Sequence, residues 1–155
     1  GAATESEMKE RKERFNDALS ATRAALEEGI VTGGGIALLR TSDAIDKLQL
    51  EGDEAIGAEI VKRSLSEPVK ISAENAGAEG EMIAEKARSG KGSYGYDAHK
   101  MEFRDLMQAG IVDPTKVVRL CIQNASSIAG LLLTSEAIIA EIPKDEDHPH
   151  TPPPY

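Results

Sequence analysis

From Thr4 to about Gly29, Met8, Phe15, Leu19, Thr22 and Leu26 recur at intervals of three, four and seven. That spacing predicts one amphipathic helix with one buried side. Glu10, Arg11, Glu13, Arg14, Asp17 and Arg23 crowd its other face. Thr4-Glu5-Ser6-Glu7 has the spacing of a capping box and marks the start. Thr32-Gly33-Gly34-Gly35 interrupts the pattern, and Ile36, Leu39, Ile45 and Leu48 predict a second helix. Past a polar turn at Glu51-Gly52-Asp53, Ile56, Ile60, Val61 and Leu65 predict a third, which Pro68 should kink or break.

Asn75 to Gly80 reads as a break, and Met82, Ile83, Lys86 and Ala87 as a short helix. Ser89 to Asp97 reads as a Gly-rich loop, and Phe103, Leu106 and Met107 as another short helix ending near Gly110. Asp113-Pro114 signals a helix start, with Asp as the cap and Pro at the first helical position. The helix that follows is apolar on most faces, which predicts a place at the centre of a bundle. Ala137 to Ile142 is strand-prone and stopped by Pro143, and a lone strand needs a partner from elsewhere. Lys144 to Tyr155, charged and then Pro-rich, should be disordered.

Composition narrows this picture. A length of 155 residues suggests one domain. The five aromatics (Phe15, Tyr94, Tyr96, Phe103 and Tyr155) require an aliphatic core. A net charge of −9 argues against nucleic acid, which needs a basic footprint. A single cysteine, Cys121, excludes a disulfide framework and suits a reducing compartment. Leu120 to Ser135 is interrupted by Gln123, Asn124, Ser126 and Ser127 and falls short of the ~18 apolar residues of a span, so no membrane is expected. The chain opens on Gly1 without a secretory pattern, as a processed or excised piece would.

The candidate chemistry is sparse when read locally. Gly90, Gly92 and Gly95 fit Gly-x-Gly-x-x-Gly, but they follow a helix where a dinucleotide fingerprint needs a strand, and read as a turn. Gly33-Gly34-Gly35 stands before a helix, where free amides could receive an anion, but taken alone it reads first as a tight interhelical turn. Asp17 is two residues from both Phe15 and Leu19, about 200° around a helix, so it points away from the apolar stripe. It reads as a surface carboxylate unless other parts of the fold supply a cleft. Cys121, far in sequence from His99, reads as a small core residue. His148 and His150 lack companions for a metal site, and no metal is expected.

Several stretches taken together are more specific. Gly1-Ala-Ala-Thr-Glu5, Ala21-Thr-Arg-Ala-Ala25, Glu28-Gly-Ile-Val-Thr-Gly-Gly-Gly-Ile-Ala-Leu38, Tyr94-Gly-Tyr96 and Gly110-Ile-Val-Asp-Pro-Thr-Lys-Val117 occur in order. Ser127-Ile-Ala-Gly-Leu131, Thr134-Ser-Glu136 and Ile142-Pro-Lys144 follow. This closely resembles the C-terminal part of the bacterial group I chaperonin, the GroEL type, from residue 1 to about 146. The resemblance implies a mainly α fold: a helical bundle of the equatorial-domain type with a short C-terminal β-strand. It implies a fragment, with residues 1–28 from the intermediate domain, 29–146 from the second half of the equatorial, ATP-binding domain, and 147–155 a disordered tail.

The resemblance also implies roles. Asp17 matches the carboxylate that positions or activates the hydrolytic water. Gly33 and Gly34 match backbone lying against the nucleotide, and Asp97 and Ala98 the segment meeting the base. The family commonly has Asn at the position of Asp97. Ile111 would cover the base, Asp113 would accept from the ribose hydroxyls, and Lys70 and Glu79 match an ion pair between rings. The implied parent is a cytoplasmic chaperonin that uses ATP or ADP with magnesium, and works as a double ring of heptamers with a co-chaperonin on unfolded proteins. Its phosphate loop and magnesium ligand lie outside this chain, so the chain alone should hydrolyse no ATP. The competing reading is a helical scaffold or interaction module without nucleotide binding. A third, an independent enzyme using Asp17, His99 and Cys121, has little support.

Overall fold

A computed structural model describes residues 1–141. The order of elements is α1 (Glu5–Glu28), β1 (Ile30–Thr32), α2 (Ile36–Ile45), α3 (Gly52–Ser64), α4 (Glu67–Asn75), α5 (Gly80–Ser89), β2 (Tyr94–Asp97), β3 (Glu102–Asp105), β4 (Val112–Pro114) and α6 (Thr115–Thr134). The fold is mainly α, as the sequence implies.

Local signals explain several boundaries. Thr4 caps α1, its hydroxyl accepting from the Glu7 amide at 3.2 Å, while the Glu7 carboxylate reaches back to the Ala3 amide at 3.1 Å. Pro68 sits in the first turn of α4, where a missing amide hydrogen costs nothing, so the apolar run divides into α3 and α4. Where Gly80 opens α5, an added Cβ would fall 2.8 Å from the Lys70 carbonyl oxygen, so only glycine lets α5 approach α4 this closely.

The core is aliphatic and lies in the middle of the chain. Ile36 and Leu39 of α2 meet Val69 and Ala73 of α4, Ile83 and Ala87 of α5, and Leu106. Small alanines on α4 and α5 let these helices pack tightly. Tyr96 and Phe103 lie partly buried against this cluster.

The described residues contain two antiparallel ribbons. In one, β2 pairs with β3, with Tyr96 opposite Phe103 and Asp97 opposite Glu102. In the other, β1 pairs with β4, with Val31 opposite Asp113 and Thr32 opposite Val112.

Five expectations are corrected. Phe103 belongs to strand β3 and Leu106 to the turn after it, because cross-strand bonds to Tyr94–Asp97 outweigh a helix-like spacing. Asp113 is not a helix cap: it is a strand residue, and α6 begins at Thr115 after Pro114, with no side-chain cap. Every residue of α1 and α6 is at least partly exposed, with Phe15 at 77% and Leu133 at 87%, since nothing among the described residues covers their apolar faces. Cys121 is exposed on α6 and is no core residue. Residues 137–141 form no strand, because no described strand pairs with them; Ile142 and the tail lie outside the described residues.

By length and composition α6 would also qualify as a membrane span, against the expectation from its polar residues. Its first two turns are fastened to the end of α1. Lys116 pairs with Glu27, and Arg119 forks onto Glu28 at 2.7 and 3.0 Å. The hydrogen bond from Arg119 holds the Glu28 carboxyl below the usual range.

Candidate functional site

The β1–β4 ribbon brings together residues that are distant in sequence. Leaving β1, the Gly33 amide donates to the Ile111 carbonyl at 3.0 Å. A Cβ on Gly33 would stand 3.1 Å from both the Ile111 carbonyl carbon and the Val112 amide nitrogen, so glycine permits this backbone contact. Gly34 turns with φ +63 and faces Leu106, with the Tyr96 carbonyl at the edge of contact. One strand further, Asp113 lies opposite Val31. Gly33, Gly34, Ile111 and Asp113 therefore gather at one end of the fold, beside the Tyr96–Ala98 segment.

Asp113 is half-buried, and burial pushes its carboxyl above the usual carboxylate range. The folded state thus holds this proton more tightly than the unfolded chain does. Its contribution to stability is complete below about pH 4 and is lost as pH rises through the folded pKa. Asp113→Asn is therefore expected to raise the thermal midpoint at pH 7 and leave it unchanged at pH 3, as followed by circular dichroism. A lower midpoint at pH 7 would show that the carboxylate has a stabilising partner.

Asp97 is buried at 5% exposure and fully engaged within the hairpin. Its Oδ1 accepts from the amides of His99 and Lys100 at 3.1 Å each, and Oδ2 lies 3.7 Å from the Arg104 guanidinium. This closes the turn in which Met101 takes φ +56. Ala98 begins that turn, two residues beyond Tyr96, whose carbonyl oxygen lies 4.0 Å from where a Cβ on Gly34 would stand.

Other predicted residues lie apart. Asp17 is exposed on α1, and the helix rise sets it roughly 18 Å along the axis from Gly29. Lys70 bonds Glu67 at 3.0 Å and Glu81 at 2.6 Å on its own chain, which raises its pKa, while Glu79 is an exposed residue at the start of α5. His99 lies in the hairpin turn and Cys121 on α6. Among the described residues no three His, Cys, Asp or Glu side chains are placed to share a metal ion.

Two features escaped the sequence reading. Arg40 of α2 donates to four backbone carbonyls at the junction of α5 and β2. Its signal was a single cation directly after the apolar run Ile36-Ala-Leu-Leu39. The second is an open apolar groove of about 640 Å³ between α6 and the α2–α3 pair, lined by Leu38, Ile60, Leu65, Ile122 and Leu133 among others. No local pattern could place α6 across α3.

The class this fold defines is a mainly helical protein, with a glycine-rich turn clasped by a strand ribbon and with helices whose apolar faces the described chain leaves open. Residues 1–143 match the TCP-1/cpn60 chaperonin family, and the chain belongs to that family. Its role is that of a chaperonin in protein folding, within an oligomeric assembly that serves client proteins.

Proposed function

We propose that this chain is the C-terminal portion of a subunit of a bacterial group I, GroEL-type chaperonin, with residues 1–28 from the intermediate and 29–146 from the equatorial domain. ATP, with magnesium, supplies the driving energy when bound. The observation that carries this reading is the clasp of Gly33 on Ile111 beside the half-buried side chain of Asp113. The residues fit a nucleoside. Gly33 and Gly34 offer bare backbone, Ile111 an apolar cover, and the Asp113 carboxylate an acceptor for ribose hydroxyls. Asp97 contributes by holding the Ala98 segment, since its Oδ1 accepts from the His99 and Lys100 amides. Lys70 and Glu79 would face another ring, and because Lys70 is already paired with Glu81 and Glu67 on its own chain, a surface pair between rings would add only ~0–1 kcal/mol. The parent would act in the cytoplasm as a double ring of heptamers with a co-chaperonin.

The open apolar faces of α1, α3 and α6 favour one alternative, a scaffold that recruits partners without nucleotide. Calorimetric titration of ADP into the full-length parent and into its Asp113→Ala variant separates the two. Losing charge-assisted hydrogen bonds worth about 2 kcal/mol should weaken binding more than tenfold. A parent that takes up no ADP would leave the scaffold reading standing.

A further inference from the structure

Arg40 links two parts of the candidate site that the ribbon does not connect. It lies on α2, the helix that starts directly after the Gly33–Gly35 turn. Its Nη2 donates to the carbonyls of Ala87 at 2.8 Å and Tyr94 at 3.1 Å; Nη1 donates to Arg88 at 3.1 Å and Nε to Gly92 at 3.3 Å. The Ala87 and Arg88 carbonyls belong to the last turn of α5, whose negative end favours a cation, and the Ala87 oxygen also accepts from the Gly90 amide at 3.1 Å. The Gly92 and Tyr94 carbonyls lead into β2. One guanidinium therefore uses four of its five hydrogens to fix α2, the end of α5 and the first strand of the hairpin together.

The junction leaves little slack. A Cβ on Gly90 would fall 2.2 Å from the Tyr94 ring, so the ring lies directly against the backbone there. Tyr94 in turn stacks on Phe103 of β3, with ring centroids 5.5 Å apart. Strand β2 is thus hung from α2 through Arg40 at one end, and toward its other end the Tyr96 carbonyl oxygen lies 4.0 Å from where a Cβ on Gly34 would stand.

We propose that Arg40 is a positioning residue for the nucleotide site: it sets the distance between the Gly33–Gly34 turn and the Tyr96–Ala98 segment. This rests on the nucleotide reading above. A planar fork is required, because one ammonium cannot span carbonyls arrayed on two elements.

The test uses Arg40→Ala, Arg40→Gln and Arg40→Lys in the full-length parent, with ADP as the probe. The expected result is an ADP Kd raised about tenfold or more in Arg40→Ala, with a smaller rise in Arg40→Lys. The KM for ATP should rise while kcat holds. Amide exchange should quicken across Tyr94–Leu106 and stay unchanged in α1 and α6. If Arg40→Ala does not assemble, Arg40→Gln and Arg40→Lys carry the same comparison. Unchanged Kd and KM in the variants, or full rescue by lysine, would overturn the proposal. A parent that binds no ADP at all would instead bring down the nucleotide reading itself, whereas normal binding by both parent and variants removes only the role of Arg40.

Discussion

Replacing Gly35 with alanine is expected to lower the stability of the folded chain by about 3 kcal/mol, seen as a fall in the urea midpoint at unchanged slope. Two separate costs combine here. Gly35 holds φ +77 at the entry to α2, a conformation that costs a residue with a Cβ ~1–2 kcal/mol. The new methyl would also stand 2.9 Å from the Val69 amide nitrogen and 3.2 Å from the Pro68 carbonyl carbon. Those atoms are backbone of α4, so relief requires moving a helix rather than turning a side chain. Gly29 is the control, because it has φ +79 but nothing within 4 Å of the added carbon. Gly29→Ala should therefore lose only the conformational part, ~1 kcal/mol. Equal losses at the two positions would show that α4 yields freely.

Asp17→Ala in the full-length parent is expected to cut ATP turnover at least about a hundredfold, the scale on which a group that orients or activates water acts. ADP affinity should stay within about twofold, because Asp17 stands roughly 18 Å along α1 from Gly29 and the cluster beyond it. On the proposed reading, Asp17 acts on the site only when α1 is brought toward it by other parts of the subunit. The purified 155-residue chain should accordingly show no magnesium-dependent turnover of its own. Turnover by the chain alone would refute this division of labour, and loss of assembly in Asp17→Ala would point to a structural carboxylate.

What could be read in advance follows the range of the interactions. The cap at Thr4 and the break at Pro68 rest on neighbours a few positions away, and the aliphatic character of the core follows from composition, so the residues themselves display them. The Phe103–Met107 segment was misread because its apolar spacing suits a helix, while its strand state depends on pairing with Tyr94–Asp97. Asp113 was misread for a similar reason: Asp-Pro is a good local helix start, yet pairing with Val31 takes both residues into β4. The apolar face of α6 announced burial correctly as a tendency, but the surfaces that would satisfy it are not among the described residues. At the candidate site, the family resemblance supplied positions; the enclosed state of the Asp97 carboxylate and the four-carbonyl grip of Arg40 came only with the fold.

The pairing of β1 with β4 has a kinetic consequence. The two strands are separated by everything from α2 to β3, including the whole buried core, so joining them closes one long loop. Loop-closure entropy grows only slowly with length, but it is unfavourable until contacts across the closure offset it, which places the ribbon late in folding. Gly33 cannot meet Ile111 before that closure. The core can collapse without bringing Gly33 and Ile111 together, and the β1–β4 ribbon closes only across a core already formed. On the proposed reading, nucleotide affinity would then register completion of folding, and a subunit still in assembly would be blind to nucleotide.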